Sequence, residues 1–167
     1  MTAPYRRTGI AVLLAVGAAL AGCTGGQTPT VAPSSAAAPV SPPAVCGSPV
    51  EKGPLPDWAS AGFSGSSAIP HVFGRGGDIA AILFAYPLTY ARTDGANNKI
   101  LWVSRPEVKS DPLVITGRLD GTGEPVVRTV EGGPGPSIID FPRAGCWRLS
   151  LAWSGHTDTL DLSYAAS

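Results

Sequence analysis

Residues 146–164 read CWRLSLAWSGHTDTLDLSY, and their alternation decides the fold class. In Cys146–Trp153 the bulky residues Trp147, Leu149, Leu151 and Trp153 take every second position, with Arg148 and Ser150 between them. Side chains alternate across a strand with a period of two, so one face of this segment is apolar and the other polar. Ser154-Gly155-His156 interrupts the pattern as a turn, and Thr157–Tyr164 resumes it with Leu160, Leu162 and Tyr164 on the inward side. Two alternating runs across so short a break predict a β-hairpin.

The same signature repeats upstream. Asp78–Tyr86 (DIAAILFAY) is nearly all apolar, as expected of a central strand buried on both faces, and Pro87 ends it. Lys99–Ser104 (KILWVS) is a second run. Leu113–Asp120 (LVITGRLD) sets Leu113, Ile115 and Leu119 against Thr116, Arg118 and Asp120. After Gly121-Thr122-Gly123 comes Pro125–Val130 (PVVRTV), then the turn at 132–136 and the short run Ser137–Phe141 (SIIDF). With a weaker segment around Ile69–Phe73, these give about seven strands at the spacing of an all-β sandwich, and no window keeps apolar residues at helical spacing. The expected fold is an immunoglobulin-like β-sandwich, with a small closed β-barrel as the alternative. The Cys…Trp…Cys spacing of immunoglobulin domains is missing, so the expectation is of architecture and not of that superfamily.

The N-terminus reads as an address. Arg6 and Arg7 precede the uncharged apolar run Ile10–Ala21, whose 12 residues are too few to span a bilayer but suit a signal-peptide core. Leu20-Ala21-Gly22-Cys23 follows, and it resembles the lipobox of bacterial lipoproteins. The resemblance implies transfer of a lipid to the Cys23 thiol and cleavage before it, so that residues 1–22 are a signal peptide and the chain is held on the extracytoplasmic face of the cell membrane. Arg6-Arg7 hints at twin-arginine export, but Thr8-Gly9-Ile10 lacks the bulky apolar pair that would follow, and the general secretory route is the default.

Residues 23–45 then form a lipidated cysteine and a Pro/Ala/Ser-rich tether with no charge and nothing to bury, which composition predicts to be extended and disordered. Residues 46–167 are the folded domain. With Cys23 lipidated, Cys46 and Cys146 remain of the three cysteines. Outside the reducing cytoplasm such a pair is expected to form a disulfide, closing a loop of about 100 residues worth on the order of 4 to 5 kcal/mol in the chain-entropy view. A metal or redox pair would want CxxC spacing or neighbouring His and Cys ligands.

The chain has 12 basic and 12 acidic residues; removing Arg6 and Arg7 leaves 10 against 12, a slight negative excess. No run of Lys/Arg points to nucleic acid or to an anionic membrane surface, so the membrane contact expected is the lipid anchor. The stretch from Leu55-Pro56-Asp57-Trp58 to the end, with KILWVSR and PRAGCWRLSLAWSGHTDTLDLSY, resembles domains of uncharacterised lipoproteins from actinobacteria. That resemblance implies location and a single domain, and carries no activity.

Candidate chemistry is sparse. Ser64 or Ser66 with His71 and Asp78 would make a paper triad, but there is no Gly-x-Ser-x-Gly elbow. His71 and His156, the only histidines, would need Asp78, Asp158 or Asp161 to converge with them to hold a metal. Gly74-Arg75-Gly76-Gly77-Asp78 lacks the phosphate-loop pattern, precedes a strand and reads as a turn. Most acids are expected in turns or on exposed strand faces. Trp147 and Trp153 belong to the core pattern, and Trp58, outside any strand, is the best candidate for a ligand contact. No catalytic residue, metal or cofactor is expected.

The expected function is therefore a non-catalytic interaction or ligand-binding module of the cell envelope, its partner an envelope protein or cell-wall component. The rival classes are a small envelope hydrolase or metal-dependent enzyme, which would gather His71 and His156 with acids in one cleft, and a structural spacer with flat polar surfaces. The lipobox reading predicts that Cys23→Ala releases the protein from membranes or leaves it unprocessed. Fractionation with intact-mass measurement checks this, and unchanged mature mass with full membrane retention would contradict it.

Overall fold

The alternating segments become the strands of two packed sheets. The structure, a computed structural model, describes residues 46–60, 63 and 66–167. In chain order these residues form one helical turn, α1 (Asp57–Ser60), and nine strands: β1 (His71–Phe73), β2 (Ile79–Leu83), β3 (Leu88–Thr89), β4 (Lys99–Ser104), β5 (Leu113–Leu119), β6 (Val126–Val130), β7 (Pro136–Ile138), β8 (Gly145–Trp153) and β9 (His156–Ala165). One sheet has the order β1-β2-β4-β7 and the other β3-β9-β8-β5-β6. All pairings are antiparallel except β3 with β9. The β-sandwich expected from the alternation is the fold.

The β8–β9 hairpin has the predicted faces. Trp147, Leu149, Leu151 and Trp153 are buried, as are Leu160, Leu162 and Tyr164. The turn itself is tighter than Ser154–His156, because His156 already pairs with Trp153. Ser154 and Gly155 both adopt positive φ, 46° and 80°, as a two-residue hairpin turn requires. Facing these side chains across the sandwich are Val72, Ile79, Ala81 and Leu83 of β1 and β2, and Ile100 and Trp102 of β4. Each large side chain fully buried here contributes about 1.5–3 kcal/mol. The three core indoles also find acceptors: Trp102 Nε1 donates to Ser137 Oγ at 3.0 Å, Trp147 Nε1 to Arg143 O at 2.9 Å and Trp153 Nε1 to Ser104 Oγ at 2.8 Å.

β2 is buried at all five positions, as its continuous apolar run predicts, but it stops at Leu83 and not at Tyr86. Phe84 and Tyr86 lie on the surface, each 47% exposed. The second cover over β2 comes from the chain's own N-terminal segment. Leu55 and Ala59 pack on Ala80 and Ile82, with Trp58, Phe63, Ile69, Phe73, Leu101 and Val103 around them. Backbone bridges Glu51–His71 and Pro54–Ala68 sew this segment along the β1 edge, so that edge is not left open. Its start is fixed by the Cys46–Cys146 disulfide, with Cα atoms 5.4 Å apart and 100 residues between them in sequence. Among the described residues, no helix is long and apolar enough to cross a membrane.

Gly117 on β5 is glycine for a packing reason. The Phe141 ring lies over it and stacks on Trp147 at 4.3 Å between centroids, edge-on to Tyr164 at 5.4 Å. A Cβ on residue 117 would stand 2.5 Å from Phe141 Cε1 and 3.1 Å from Leu149 Cδ2. Gly117→Ala should therefore destabilise the domain by roughly 1–3 kcal/mol, the usual cost of overpacking a core. Urea unfolding measures this, and an unchanged midpoint would refute the packing account.

Candidate functional site

The link from β2 to β4 carries the short strand β3 and a loop after it, and its geometry is set by one buried side chain. Asn98 is 1% exposed. Its Oδ1 accepts from the Thr89 amide at 3.0 Å, while its Nδ2 donates to Thr89 O at 2.9 Å and to Asp140 Oδ1 at 2.7 Å. The side-chain amide thus acts as a short strand partner, closing the neck of the loop 90–97 and tying it to the chain after β7. Inside the loop, Arg92 donates from Nε to Asp94 Oδ1 at 3.0 Å and from one terminal nitrogen to Asp94 Oδ2 at 2.6 Å. Its other terminal nitrogen reaches Pro87 O at 3.1 Å and Asn98 Oδ1 at 3.3 Å. The Ala96 amide also donates to Asp94 Oδ1, at 3.1 Å. Gly95, at φ 76°, supplies the left-handed residue the bend requires.

This loop overhangs a surface depression of about 390 Å³ lined by Tyr90, Arg92, Asn97, Asp140 and Phe141. A second hollow of about 210 Å³ shares Arg92 and extends to Ser167. A third of about 460 Å³ shares Asn97 and runs beside β7 past Lys99 and Ile138. The depression offers the Asn97 amide, the Asp140 carboxylate as acceptor and Tyr90, 40% exposed, as an aromatic surface. Its floor is braced by Tyr164, whose hydroxyl donates to Ile139 O at 2.6 Å. Burial, and secondarily the charge of Asp140, push that phenol well above its ordinary range, so it remains a donor. The depression's few polar groups stand at fixed positions, which is what orients a small hydrogen-bonding ligand in a binding site.

Two acids placed on exposed faces or in turns from sequence are instead buried in β9: Asp158 is 6% exposed and Asp161 2%. Asp158 accepts from the amides of Gly76 at 2.7 Å, Asp78 at 3.1 Å and Thr159 at 2.7 Å. Residues 74–78 are the expected turn, and their N–H groups do gather round an anion, but the anion is the chain's own carboxylate. A Cβ at Gly74 would sit on that carboxylate, which is why the loop needs glycine there. Asp161 accepts from the Gly47 amide at 3.1 Å and from Arg75 at 2.7 Å, with Arg148 Nε at 3.4 Å. Both acids are structural ties, reached by long-range partners that alternation does not reveal.

The other candidates lie apart. Cys46 and Cys146 are joined as expected. Trp58 is half-buried in the outer-face cluster, 6.0 Å from the Phe73 ring. His71 is 1% exposed in β1, its Nδ1 bonded to Ile69 O at 2.7 Å and its Nε2 3.8 Å from Glu51 Oε2. His156 sits in the other sheet, 5.8 Å from the Trp153 ring. Ser66 Oγ accepts from the Ala68 amide, and Asp78 contributes its backbone N–H to Asp158. Among the described residues no three of His, Cys, Asp and Glu are grouped to hold a metal. Cys23, the signal peptide 1–22, the tether to residue 45 and Ser64 lie outside the described residues. Asn98, Arg92 and Asp140 were not singled out from sequence; the only local hint was the turn-rich stretch Thr93–Asn98 (TDGANN).

Compared with known proteins, the chain matches no family model, no curated protein and no solved structure.

The Arg92 guanidinium, followed by the Ala96 amide, holds the Asp94 carboxyl down at about 2 against an ordinary 3.8. A carboxyl lowered on folding adds stability above its unfolded pKa and loses it as pH falls through the folded one. The loop clasp should therefore persist to pH 4 and open on acidification from about 3.8 through about 2. A carboxyl-carbon NMR titration of Asp94 reads this directly, and a midpoint near 3.8 would contradict the clasp.

Proposed function

We propose that the chain is a bacterial lipoprotein, held on the extracytoplasmic face of the cell membrane by lipid on Cys23. Its domain works as a non-catalytic module that binds a ligand or envelope partner. The N-terminal run and LAGC support the anchor, and the Cys46–Cys146 bridge suits an oxidising compartment. The observation that carries the binding role is the loop 90–97, whose neck is closed by Asn98 and whose tip is clasped by Arg92 and Asp94. A loop ordered before binding loses little conformational freedom when a ligand arrives, which favours affinity. The two most buried acids carry structural bonds to glycine-rich backbone and arginine, consistent with a frame and not with acid–base chemistry.

Crosslinking in intact cells, with mass spectrometry of what is held to the domain, tests this reading. A single reproducible envelope component is expected, and Tyr90→Ala with Asn97→Ala should reduce its capture about tenfold or more, the effect of losing roughly 1.4 kcal/mol. Capture that is indifferent to both substitutions would overturn the assignment to this depression.

A further inference from the structure

No segment of the sequence is rich in arginine, yet the fold assembles three arginines on the outer face of the five-stranded sheet. Arg118 on β5 stands directly opposite Arg148 on β8, and Arg148 stands opposite Asp161 on β9. Arg75, from the loop after β1, completes the row by bonding to the other oxygen of Asp161 at 2.7 Å. Arg118 and Arg148 also reach the same turn. Arg118 donates to Gly123 O at 2.9 Å, and a terminal nitrogen of Arg148 lies 3.0 Å from where a Cβ on Gly121 would be. All three side chains remain open to solvent, with Arg148 59% and Arg75 44% exposed.

This is more positive charge than the fold needs. Asp161 already has the Gly47 amide and Arg75 on one oxygen and Arg148 on the other. Arg118 adds nothing to that carboxylate, and like charges directly opposite on neighbouring strands are destabilising. Among the described residues Arg118 makes no ion pair; Asp120 and Glu124, which flank the turn, are exposed and pair with none of the three arginines. Arg75 and Arg148 share the Asp161 carboxylate and Arg118 has none, so the row carries two positive charges beyond that acid, which complement one phosphate monoester of about minus two at neutral pH or two singly charged phosphodiester headgroups. Guanidinium forks suit such an oxyanion, since each offers paired N–H donors.

We propose that Arg75, Arg118 and Arg148 form a binding site for a phosphate group. It is distinct from the depression under loop 90–97. Two sources carry this chemistry at a cell envelope: a soluble phosphate-bearing molecule and the headgroups of anionic lipid. The site lies close to Cys46, the first described residue, because Cys146 is two residues before Arg148 on the same face of β8 and is bonded to Cys46. The headgroup source rests on the lipid-anchor reading; the site itself does not.

The test is arginine-selective dicarbonyl labelling of the full chain, read residue by residue by mass spectrometry. In detergent micelles, inorganic phosphate at matched ionic strength should slow labelling of Arg75, Arg118 and Arg148 several-fold and leave the exposed Arg105 and Arg143 unchanged. Arg118→Gln should abolish that protection at Arg148 while the circular dichroism spectrum stays that of the parent. The same labelling in nanodiscs separates the sources. Extra protection in phosphatidylglycerol discs over phosphatidylcholine discs assigns the site to lipid headgroups, and protection by free phosphate without that difference assigns it to a soluble ligand. Labelling rates of Arg75, Arg118 and Arg148 that neither phosphate nor the disc lipid changes would overturn the proposal. Failure of the anchor reading is seen separately, as membrane retention of Cys23→Ala.

Discussion

The pairing of β8 with β9 is the constraint on which the rest of the structure depends. The two strands run together over nine positions, from Gly145–Tyr164 to Trp153–His156. Their inward faces supply most of one wall of the core, and both neighbours, β5 and β3, are added to their edges. The outward and end positions do the rest. Cys146 fixes the start of the domain, Asp158 holds the loop after β1, Asp161 holds Gly47 and Arg75, and Arg148 faces Arg118. One hairpin therefore ties the N-terminal segment, a glycine loop and both sheets into one frame.

The frame uses buried polar groups at the few places where alternation cannot specify a partner. A buried carboxylate is costly unless its lone pairs are met by hydrogen bonds. Asp158 meets three backbone amides, and Asp161 meets one amide and two arginines. Asn98 does the same with a neutral amide between β3 and Asp140. In each case a loop that carries no apolar pattern of its own is fixed by a side chain from elsewhere. That is how a small sandwich can present shaped loops without burying them.

The architecture was legible because its signal is local. Period-two runs such as Cys146–Trp153 and Leu113–Leu119 carry their own face assignment, and the uniformly apolar Ile79–Ala81 core of β2 announces cover on both sides. What supplies the second cover was not legible: Leu55 and Ala59 lie in a short, irregular segment whose partners are far along the chain. The two-residue β3 is too brief for a pattern, and it exists because Asn98 and β9 pair with it. With Cys23 set aside as the expected lipidation site, two cysteines were left to pair, which made the disulfide readable from counting. The depression and the arginine row were not readable, since Asn98 and Asp140, or Arg75, Arg118 and Arg148, meet only once the register is known.

Amide hydrogen exchange across the whole chain tests most directly the claim that polar side chains order the loops on this frame. The decisive amides are Gly47, Gly76, Asp78 and Thr89, which lie outside paired strand interiors but donate to Asp161, Asp158 and Asn98. The account predicts that they exchange at rates approaching those of β8 and β9. Exchange at the rate of unprotected peptide, with the strands still protected, would show that the loops are not held and would contradict it.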